Sequence, residues 1–447
     1  MLWIIMTKEF LEKVLTLRFF VALILSIVLT IVSVVVLSED YAQEFADYHL
    51  RTQMHAETSN EQLIAVDRKP SILTALFQGI TKGAARSVRL LIGFQPKIIE
   101  TIDDNPFSVL FPTVDLTFII GIVMSLLALL FAYDAVCGER EMGTLALIAS
   151  QPIKKPMLIL GKWLGGYFSL ILPCSVGWIL GLLILSMHPH IQLSVTDWSA
   201  LGLIIVGALL YLACFFALGI LISTLTTRPS TAIVVLLFLW TLFVFVIPNL
   251  SPNLAKTFSP IPSFSTHSHE MTLAQTEVEH QRQRWHDAVA LEVIDKRLTW
   301  ADGKKLLLNI EARSTSAQDK TLSNIIQAYH RKIRRQEQIA SGIAALSPYA
   351  CFTFFTTQLA ASHFENDAKF IAATERFENE YFADTPSYFQ TLVSPGEGTE
   401  KSFFFYTEPT IPERLKLALG PLSLLLLYTG LCLIGGYAAF MRYDVKS

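Results

Sequence analysis

Six long apolar runs constrain the fold of this 447-residue chain more than any other feature of its sequence. A helix needs roughly 20 mainly apolar residues to cross about 30 Å of hydrocarbon, because each unpaired backbone group left in lipid costs several kcal/mol. The composition agrees, since 52% of the residues are hydrophobic and only 16% are charged. These features argue against an ordinary soluble globular protein and predict an all-α polytopic membrane protein with six transmembrane helices.

Lysine and arginine positions predict which side of the membrane each loop occupies, because basic residues in short flanks resist translocation. The short flanks and loops on one side carry Lys8, Lys13, Arg18, Arg140, Lys154, Lys155, Lys162, Arg228, Arg442 and Lys446. Both termini and the short loops are therefore expected in the cytoplasm, whereas two large regions are expected outside it. The predicted order is an interfacial amphipathic helix at 1–17, transmembrane helices at 18–38, 114–133, 157–187, 199–225, 232–248 and 413–441, extracytoplasmic regions at 39–113 and 249–412, an external turn at 188–198, cytoplasmic loops at 134–156 and 226–231, and a cytoplasmic tail at 442–447.

The N-terminal segment has its own pattern. Apolar residues alternate with Lys8, Glu9, Glu12 and Lys13 at helical spacing, which suits a short amphipathic helix lying in the inner membrane interface. The alternative is a solvated lead-in to the first span.

The two external regions are predicted to be mainly helical. Apolar positions recur at helical spacing within residues 278–298 and again within 322–339, which predicts two amphipathic helices packed as a hairpin. Residues 349–361 are apolar but too short to span, so they predict an interfacial or re-entrant segment. Residues 39–113 predict a further helical contribution. The second hairpin helix carries basic residues that form a solvated face or meet anionic lipid or an acidic partner, namely Arg331, Lys332, Arg334 and Arg335.

Motifs for catalysis are absent from the sequence. A phosphate-binding loop needs Gly-Lys followed by Ser or Thr, but Trp163 follows Gly161 and Lys162. The apolar runs contain no acidic pair and no His-Glu-x-x-His motif, so no catalytic residue is predicted. The chain is therefore not expected to be an enzyme.

Two His-x-His pairs raise the question of a metal site, because imidazole suits copper and zinc. Most of the cysteine or acidic partners that would complete such a site are missing. We therefore predict no metal site, and a metal-handling membrane protein stays an alternative. The weak candidate ligands are His188, His190, His267 and His269.

The loop between the second and third runs is charge-dense and short. Gly143 should break one helix, Thr144 can cap the next, and Leu145 and Ile148 then face one way between flanking charges. Such a helix would present an apolar knob to a cytosolic partner. The alternative is a charged loop that only satisfies the topology.

A family resemblance favours the first of these interpretations. The string Tyr-Asp-Ala-Val-Cys-Gly-Glu-Arg-Glu-Met-Gly-Thr-Leu at 133–145 is followed by Ser-Gln-Pro-Ile at 150–153 and Leu-Gly-Lys at 160–162. This pattern resembles the hallmark of the ABC-2 permease family, whose members are membrane subunits of ATP-driven transporters. The large external regions resemble a bacterial subgroup related to the permease NosY, with added extracytoplasmic insertions. The resemblance covers the membrane portion of the chain.

The resemblance implies a dimer of permeases, identical or related, in the bacterial inner (cytoplasmic) membrane. Each permease would dock a coupling helix on one of two copies of an ABC ATPase subunit, which would bind ATP and Mg²⁺, so this chain would hold no cofactor of its own. The residues that match the coupling segment, together with Ile148 on the same predicted face, are Glu139, Arg140, Glu141, Gly143, Thr144 and Leu145. The charged residues that match the interfacial helix are Lys8, Glu9 and Lys13.

The expected function is therefore that of the permease subunit of an exporter, moving a substrate or its own extracytoplasmic domain. A periplasmic protein is a further possible partner besides the lipid bilayer, and no nucleic acid is expected. A non-transporting membrane sensor or scaffold with a periplasmic domain stays an alternative.

Overall fold

The computed structural model describes residues 2–58, 63–79, 87–91, 94–99, 114–145, 155–295, 297, 299–383 and 406–442. The chain divides into two compact units, one formed by Met1–Val246 with Ala345–Ser447 and the other by Ile247–Ala344. We call the first the membrane unit and the second the hairpin unit.

Most of the described chain is helical. The helices are α1 (Leu2–Val14), α2 (Leu17–Thr58), α3 (Ser125–Ala132), α4 (Cys137–Glu141), α5 (Lys155–Met187), α6 (Val195–Leu225), α7 (Pro229–Thr241), α8 (Ile247–Phe258), α9 (Phe264–Ile294), α10 (Trp300–Ala344), α11 (Pro348–Leu359), α12 (Phe364–Ala383) and α13 (Ile411–Met441). A helical turn at Leu116–Phe118 and a π-helical segment at Ile119–Met124 precede α3, and a second π-helical segment, Leu242–Val246, follows α7.

Among the described residues, six helical stretches are long and apolar enough to cross a membrane. They are Leu17–His55, Leu116–Glu141, Lys155–Met187, Val195–Leu225, Pro229–Phe258 and Ile411–Met441. This finding confirms the predicted class, an all-α polytopic membrane protein with six spans.

Close helix packing within the membrane unit depends on residues without side chains. α1 lies against α5, and a Cβ atom on Gly165 of α5 would lie only 2.5 Å from the carbonyl oxygen of Met6. A Cβ atom on Gly161 would lie 2.7 Å from the Ile5 side chain. These two glycines, spaced four residues apart on one face of α5, let the N-terminal helix approach the third span.

The short apolar segment after the hairpin unit packs among the spans. The Phe352 ring of α11 stacks on the Tyr211 ring of α6 with centroids 4.6 Å apart, and Phe355 occupies the space above Gly207 of the same helix. α11 also packs against α13. Because Gly207 and Tyr211 lie well inside the fourth span, these contacts favour the re-entrant interpretation of this segment over the interfacial one.

The first external region was predicted to be helical, and this is only partly correct. α2 continues to Thr58, but the segment beyond it contains a three-stranded antiparallel sheet in the order β1 (Leu63–Asp67), β2 (Ser87–Leu91) and β3 (Phe94–Ile99). Val66 of β1 pairs with Val88 of β2, and both pack against Phe370 of α12. The sheet therefore gains a small apolar core from a helix almost 300 residues further along the chain.

The hairpin unit consists of α8, α9 and α10. α9 and α10 pack side by side, as the periodicity predicts, and Gly303 of α10 lies against Val293 of α9. The His267 ring of α9 stacks on the Tyr329 ring of α10 at 4.0 Å. α8 packs on α10, where the Gln336 side-chain amide donates to the carbonyl of Ser259 at 2.8 Å.

Candidate functional site

The charged segment after the second span folds as a short hook. α3 ends at Ala132, a turn follows, and α4 ends where Gly143 adopts a φ of 73°, a left-handed conformation that favours glycine. The prediction that Gly143 breaks a helix is thus confirmed.

The base of the hook is attached to the end of α6. The backbone N–H groups of Val136 and Cys137 both donate to the Ser223 hydroxyl, at 3.0 and 3.1 Å. The Arg140 guanidinium donates to the carbonyl of Thr226 at 3.0 Å. These contacts satisfy backbone groups at both helix ends and fix the direction of the hook.

A buried lysine joins the hook to two other helices. The Lys162 ammonium of α5 donates to Glu9 of α1 at 2.6 Å and to Glu139 of α4 at 2.7 Å. The Lys162 side chain is only 2% exposed. Breaking one partner of a buried pair is strongly destabilising because it leaves a charge without compensation. This group, which we call the Lys162 triad, therefore ties α1, α4 and α5 together.

A second charge network lies at the start of the hook. Asp134 accepts from Lys13 of α1 at 2.7 Å and from Arg18 of α2 at 2.6 Å. Arg18 also donates to the Tyr133 hydroxyl at 2.8 Å. The hook is consequently bound to both N-terminal helices through charge-assisted hydrogen bonds, which are stronger than neutral ones.

The tip of the hook, residues 141–144, is exposed. Met142 is 70% exposed, and Glu141 and Thr144 are also accessible. The Thr144 hydroxyl donates to the Glu139 carbonyl at 3.3 Å.

Leu145 does not project from the hook. It is 1% exposed and packs with Val136, Leu158 and Phe440, so the prediction that its side chain forms an outward knob is wrong. Helical spacing places residues on one face but does not determine whether that face points to a partner or to the chain itself. Ile148 lies outside the described residues.

The charged residues of α1 are divided between its two sides. Lys8 is exposed and lies 3.9 Å from Glu12, whereas Glu9 and Lys13 take part in the two networks. The side chains of Glu9 and Lys13 therefore face other parts of the chain, and the placement of α1 in the inner membrane interface stays a prediction. The exposed side of α1 carries large apolar residues, among them Trp3 and Leu11.

The histidines of the two His-x-His pairs have different surroundings. The His188 and His190 rings lie 5.9 Å apart, His267 stacks on Tyr329, and His269 is exposed. No group of three or more His, Cys, Asp or Glu side chains that could hold a metal ion occurs in the described ranges.

The roles of Lys162, Asp134 and Ser223 were missed from the sequence. Lys162 was treated only as a charge flanking a span. Its position inside an apolar helix nevertheless indicates that it has polar partners, because ionisable residues within spans usually pair with other polar groups and mark functional positions. Its partner Glu9 lies 153 residues away in the chain.

A cavity of about 320 Å³ opens beside the Asp134 network. It lies between the start of α2, the end of α3 and the start of α7. Its lining residues are Arg18, Leu130, Tyr133, Pro229, Ser230 and Ile233.

Comparison with known proteins gives a family match and two partial matches. The model of the family described as "ABC-2 family transporter protein" matches residues 3–445. "Probable ABC transporter permease protein NosY" of Pseudomonas aeruginosa is 36% identical over 130 residues, which are 29% of this chain and 47% of that protein. The protein of the same name from Stutzerimonas stutzeri is 34% identical over 125 residues, or 28% of this chain and 45% of that protein. The chain thus spans about half the length of the curated relatives it matches. Because the family model covers nearly the whole sequence, the chain belongs to the ABC-2 family of transporter proteins.

Proposed function

We propose that this chain is the membrane permease subunit of an ABC exporter and that the tip of the hook docks on a separate ATPase subunit. One observation carries the proposal: the tip is exposed, while polar contacts bind its base to α1, α2, α5 and α6, and all of them except the more exposed Arg18–Asp134 pair are buried or half-buried. A partner that moves the tip must therefore move these helices with it.

The two charge networks supply the mechanical link. The Lys162 triad transmits a displacement of α4 to α1 and α5, and Asp134 transmits it to α2 through Arg18. Since separating the buried Lys162 pairs costs several kcal/mol, α1 and α5 follow the hook when it moves. ATP and Mg²⁺ act in the partner, and the charged contacts of this chain convert its movement into a movement of spans.

The proposal also includes the direction of transport, which is export, and the subunits of the transporter. The cavity beside Arg18 lies next to the hook, where a movement of α2 and α3 changes its width. Export requires a second permease copy, identical or related, and two ATPase subunits, with the hairpin unit moving or receiving cargo on the opposite side of the membrane. The predicted cytoplasmic placement of the hook follows from the basic residues in its flanks.

Co-purification tests the proposal directly. The tagged chain, extracted from native membranes in mild detergent, should recover an ATPase that carries a phosphate-binding loop. Glu141→Arg should abolish that recovery without loss of membrane insertion, because it reverses the charge of an exposed tip residue. The matched control is Glu413→Arg, which reverses an exposed glutamate in the first turn of α13.

Two results would count against the proposal. Recovery of the chain without any ATPase would favour the sensor or scaffold. Normal ATPase recovery by the Glu141→Arg variant would instead be compatible with the permease function but would show that the ATPase does not dock on the tip.

A further inference from the structure

One face of the second span is only partly covered by the other helices. Within residues 124–133, Leu126, Leu130 and Tyr133 are partly exposed, while the remaining seven residues are buried. The three positions are four and three residues apart, so they form one stripe on a single face of α3. This stripe extends over about 10 Å, from the end of the span toward its middle.

Two other spans flank this stripe. Both α2 and α7 contact α3, and the cavity of about 320 Å³ lies between the three helices at the end of the stripe. Val21, one turn beyond Arg18 on α2, is 50% exposed, and Leu237, two turns beyond Ser230 on α7, is 40% exposed. The cavity therefore continues into a groove with apolar sides. We call it the α3 groove and define it as Arg18, Val21, Leu126, Leu130, Tyr133, Ser230, Ile233 and Leu237.

The groove is polar at one end and apolar along the rest of its length. Arg18 is the second residue of the first candidate span, and Ser230 is the second residue of the fifth. Leu130 and Ile233 lie one turn deeper in their spans, or about 4.5 Å. Because the ends of a span lie at the membrane surface, the polar end lies among the headgroups and the apolar part lies in hydrocarbon. A soluble anion would match only the polar end, whereas an amphiphile with a charged head and an apolar chain matches both parts.

The charged groups at the polar end carry a net positive charge. The Asp134 carboxylate binds both Lys13 and Arg18, so it offsets only one of these two cations. Arg228, which directly precedes α7, is exposed and adds a further positive charge. These charges favour an anionic head over a zwitterionic one.

Arg18 itself can bind a further oxygen atom. Its side chain is 42% exposed, and its Nε atom takes part in no hydrogen bond within the described part of the chain. The guanidinium lies over the Tyr133 ring, 4.9 Å from the ring centroid, and this contact helps to hold it at the mouth of the cavity. Arg18 can therefore donate to an anionic head while it stays bound to Asp134.

We propose that the α3 groove binds an anionic phospholipid of the adjacent leaflet, with its phosphate on Arg18 and one acyl chain along Leu130 and Leu126. Guanidinium groups suit phosphate because their planar donors match its oxygen atoms. This lipid site goes beyond the proposed function, since it requires no ATPase. Arg18 also binds Asp134 at the base of the hook, so the bound lipid and the position of the hook influence each other through the same side chain.

Photocrosslinking of lipids to the purified full chain tests this proposal. The chain is reconstituted without an ATPase in nanodiscs of phosphatidylcholine and phosphatidylglycerol. Two probes carry the same photoreactive acyl chain and differ only in their heads, which are phosphatidylglycerol and phosphatidylcholine. The phosphatidylglycerol probe should label peptides that contain Tyr133 or Ser230 several-fold more than the phosphatidylcholine probe does.

Two substitutions separate the role of charge from the role of shape. Arg18→Gln should reduce phosphatidylglycerol labelling to the level of phosphatidylcholine, whereas the matched control Arg442→Gln, at an exposed residue that ends α13, should leave it unchanged. Because Arg18→Gln also removes an ion pair with Asp134, Ile233→Trp is the second test. The larger ring narrows the cavity without changing its charge, so labelling by both probes should fall. Its control is Leu426→Trp on α13, where Leu426 is 56% exposed.

Three outcomes would overturn the proposal. Equal labelling by the two probes, unchanged by Arg18→Gln, would show that the groove does not select an anionic head. Loss of labelling on addition of glycerol 3-phosphate, at constant ionic strength, would assign the polar end to a soluble anion. Absence of labelling by either probe, together with a disulfide between two Ser230→Cys chains, would show that a second copy of the chain fills the groove.

Discussion

At the scale of single residues, the Lys162 triad places one ammonium between two carboxylates. Both carboxylates direct one oxygen at the same Nζ atom, at 2.6 and 2.7 Å. Lys162 thus prevents repulsion between Glu9 and Glu139 as well as attracting each of them. This explains how α1 and α4 approach each other although both bring a negative charge.

Replacing Lys162 by methionine should therefore lower the free energy of unfolding by about 3–5 kcal/mol, because two carboxylates are left buried without a cation. Thermal unfolding of the purified chain in detergent measures this loss. Lys8→Met is the matched control, since Lys8 and Glu12 are exposed and 3.9 Å apart, and its effect should stay below about 1 kcal/mol. Adding Glu9→Gln to Lys162→Met should recover part of the loss. Equal losses for Lys162→Met and Lys8→Met would contradict the proposed role of the triad.

His363, in the turn between α11 and α12, should make stability depend on pH. Burial lowers the pKa of His363 to about 4, from an ordinary value of about 6.5. Its Nδ1 atom accepts from the Gln358 side-chain amide at 2.9 Å, and protonation of that atom would remove the acceptor. Between about pH 6.5 and 4, the unfolded chain therefore binds more protons at this histidine than the folded chain does. The free energy of unfolding is highest above pH 6.5, where His363 is neutral in both states, and it falls as the pH decreases through this window.

Unfolding temperatures measured across this pH range test the prediction. Between pH 6.5 and 4, the free energy of unfolding of the wild-type chain should fall by up to about 3 kcal/mol more than that of the His363→Gln variant. The reason is that each unit of pKa difference corresponds to about 1.4 kcal/mol. Parallel pH profiles for the two chains would show that another group is responsible.

At the scale of secondary-structure elements, the contact between α1 and α5 depends on Gly165. A leucine at this position would drive its Cβ atom into the Met6 backbone and displace α1. The displacement would separate Glu9 from Lys162, so Gly165→Leu should both destabilise the chain and reduce recovery of the ATPase. Gly202→Leu is the matched control, because no atom from another part of the described chain lies within 4 Å of a Cβ at Gly202 of α6. Unfolding and co-purification of the two variants should differ clearly, and equal behaviour would contradict the glycine contact.

The elements also show how far the sequence alone could predict this protein. Long apolar runs and helical periodicity predicted six spans and two hairpin helices, because these signals extend over many turns. The strands were missed because each has only five or six residues, and Lys82, Arg86 and Arg89 recur at spacings that also suit a helix.

The contacts of the site were harder to predict than its position. The string around residues 133–145 indicated where the hook is, and the structure describes its exposed tip there. Its ion pairs join residues between 23 and 153 positions apart, so no local pattern could reveal them. Leu145 shows the same limit, since its burial depends on Leu158 and Phe440 from other helices.

At the scale of the whole molecule, the helices of the hairpin unit pack mainly on one another. Val289 of α9 is buried, and it lies 3.9 Å from a Cβ on Gly303 of α10. The membrane unit has a separate core between its spans, to which Val34 of α2 belongs. Units whose contacts are mainly internal are expected to unfold in separate cooperative steps.

Calorimetry of the full chain in detergent should therefore show two transitions. Val289→Ala removes two methyl groups from the contact between α9 and α10 and should cost about 2 kcal/mol, lowering one transition by several degrees and leaving the other unchanged. Val34→Ala, the same substitution at a buried position of the membrane unit, should lower the other transition only. A single transition, shifted equally by both substitutions, would mean that the two units unfold as one.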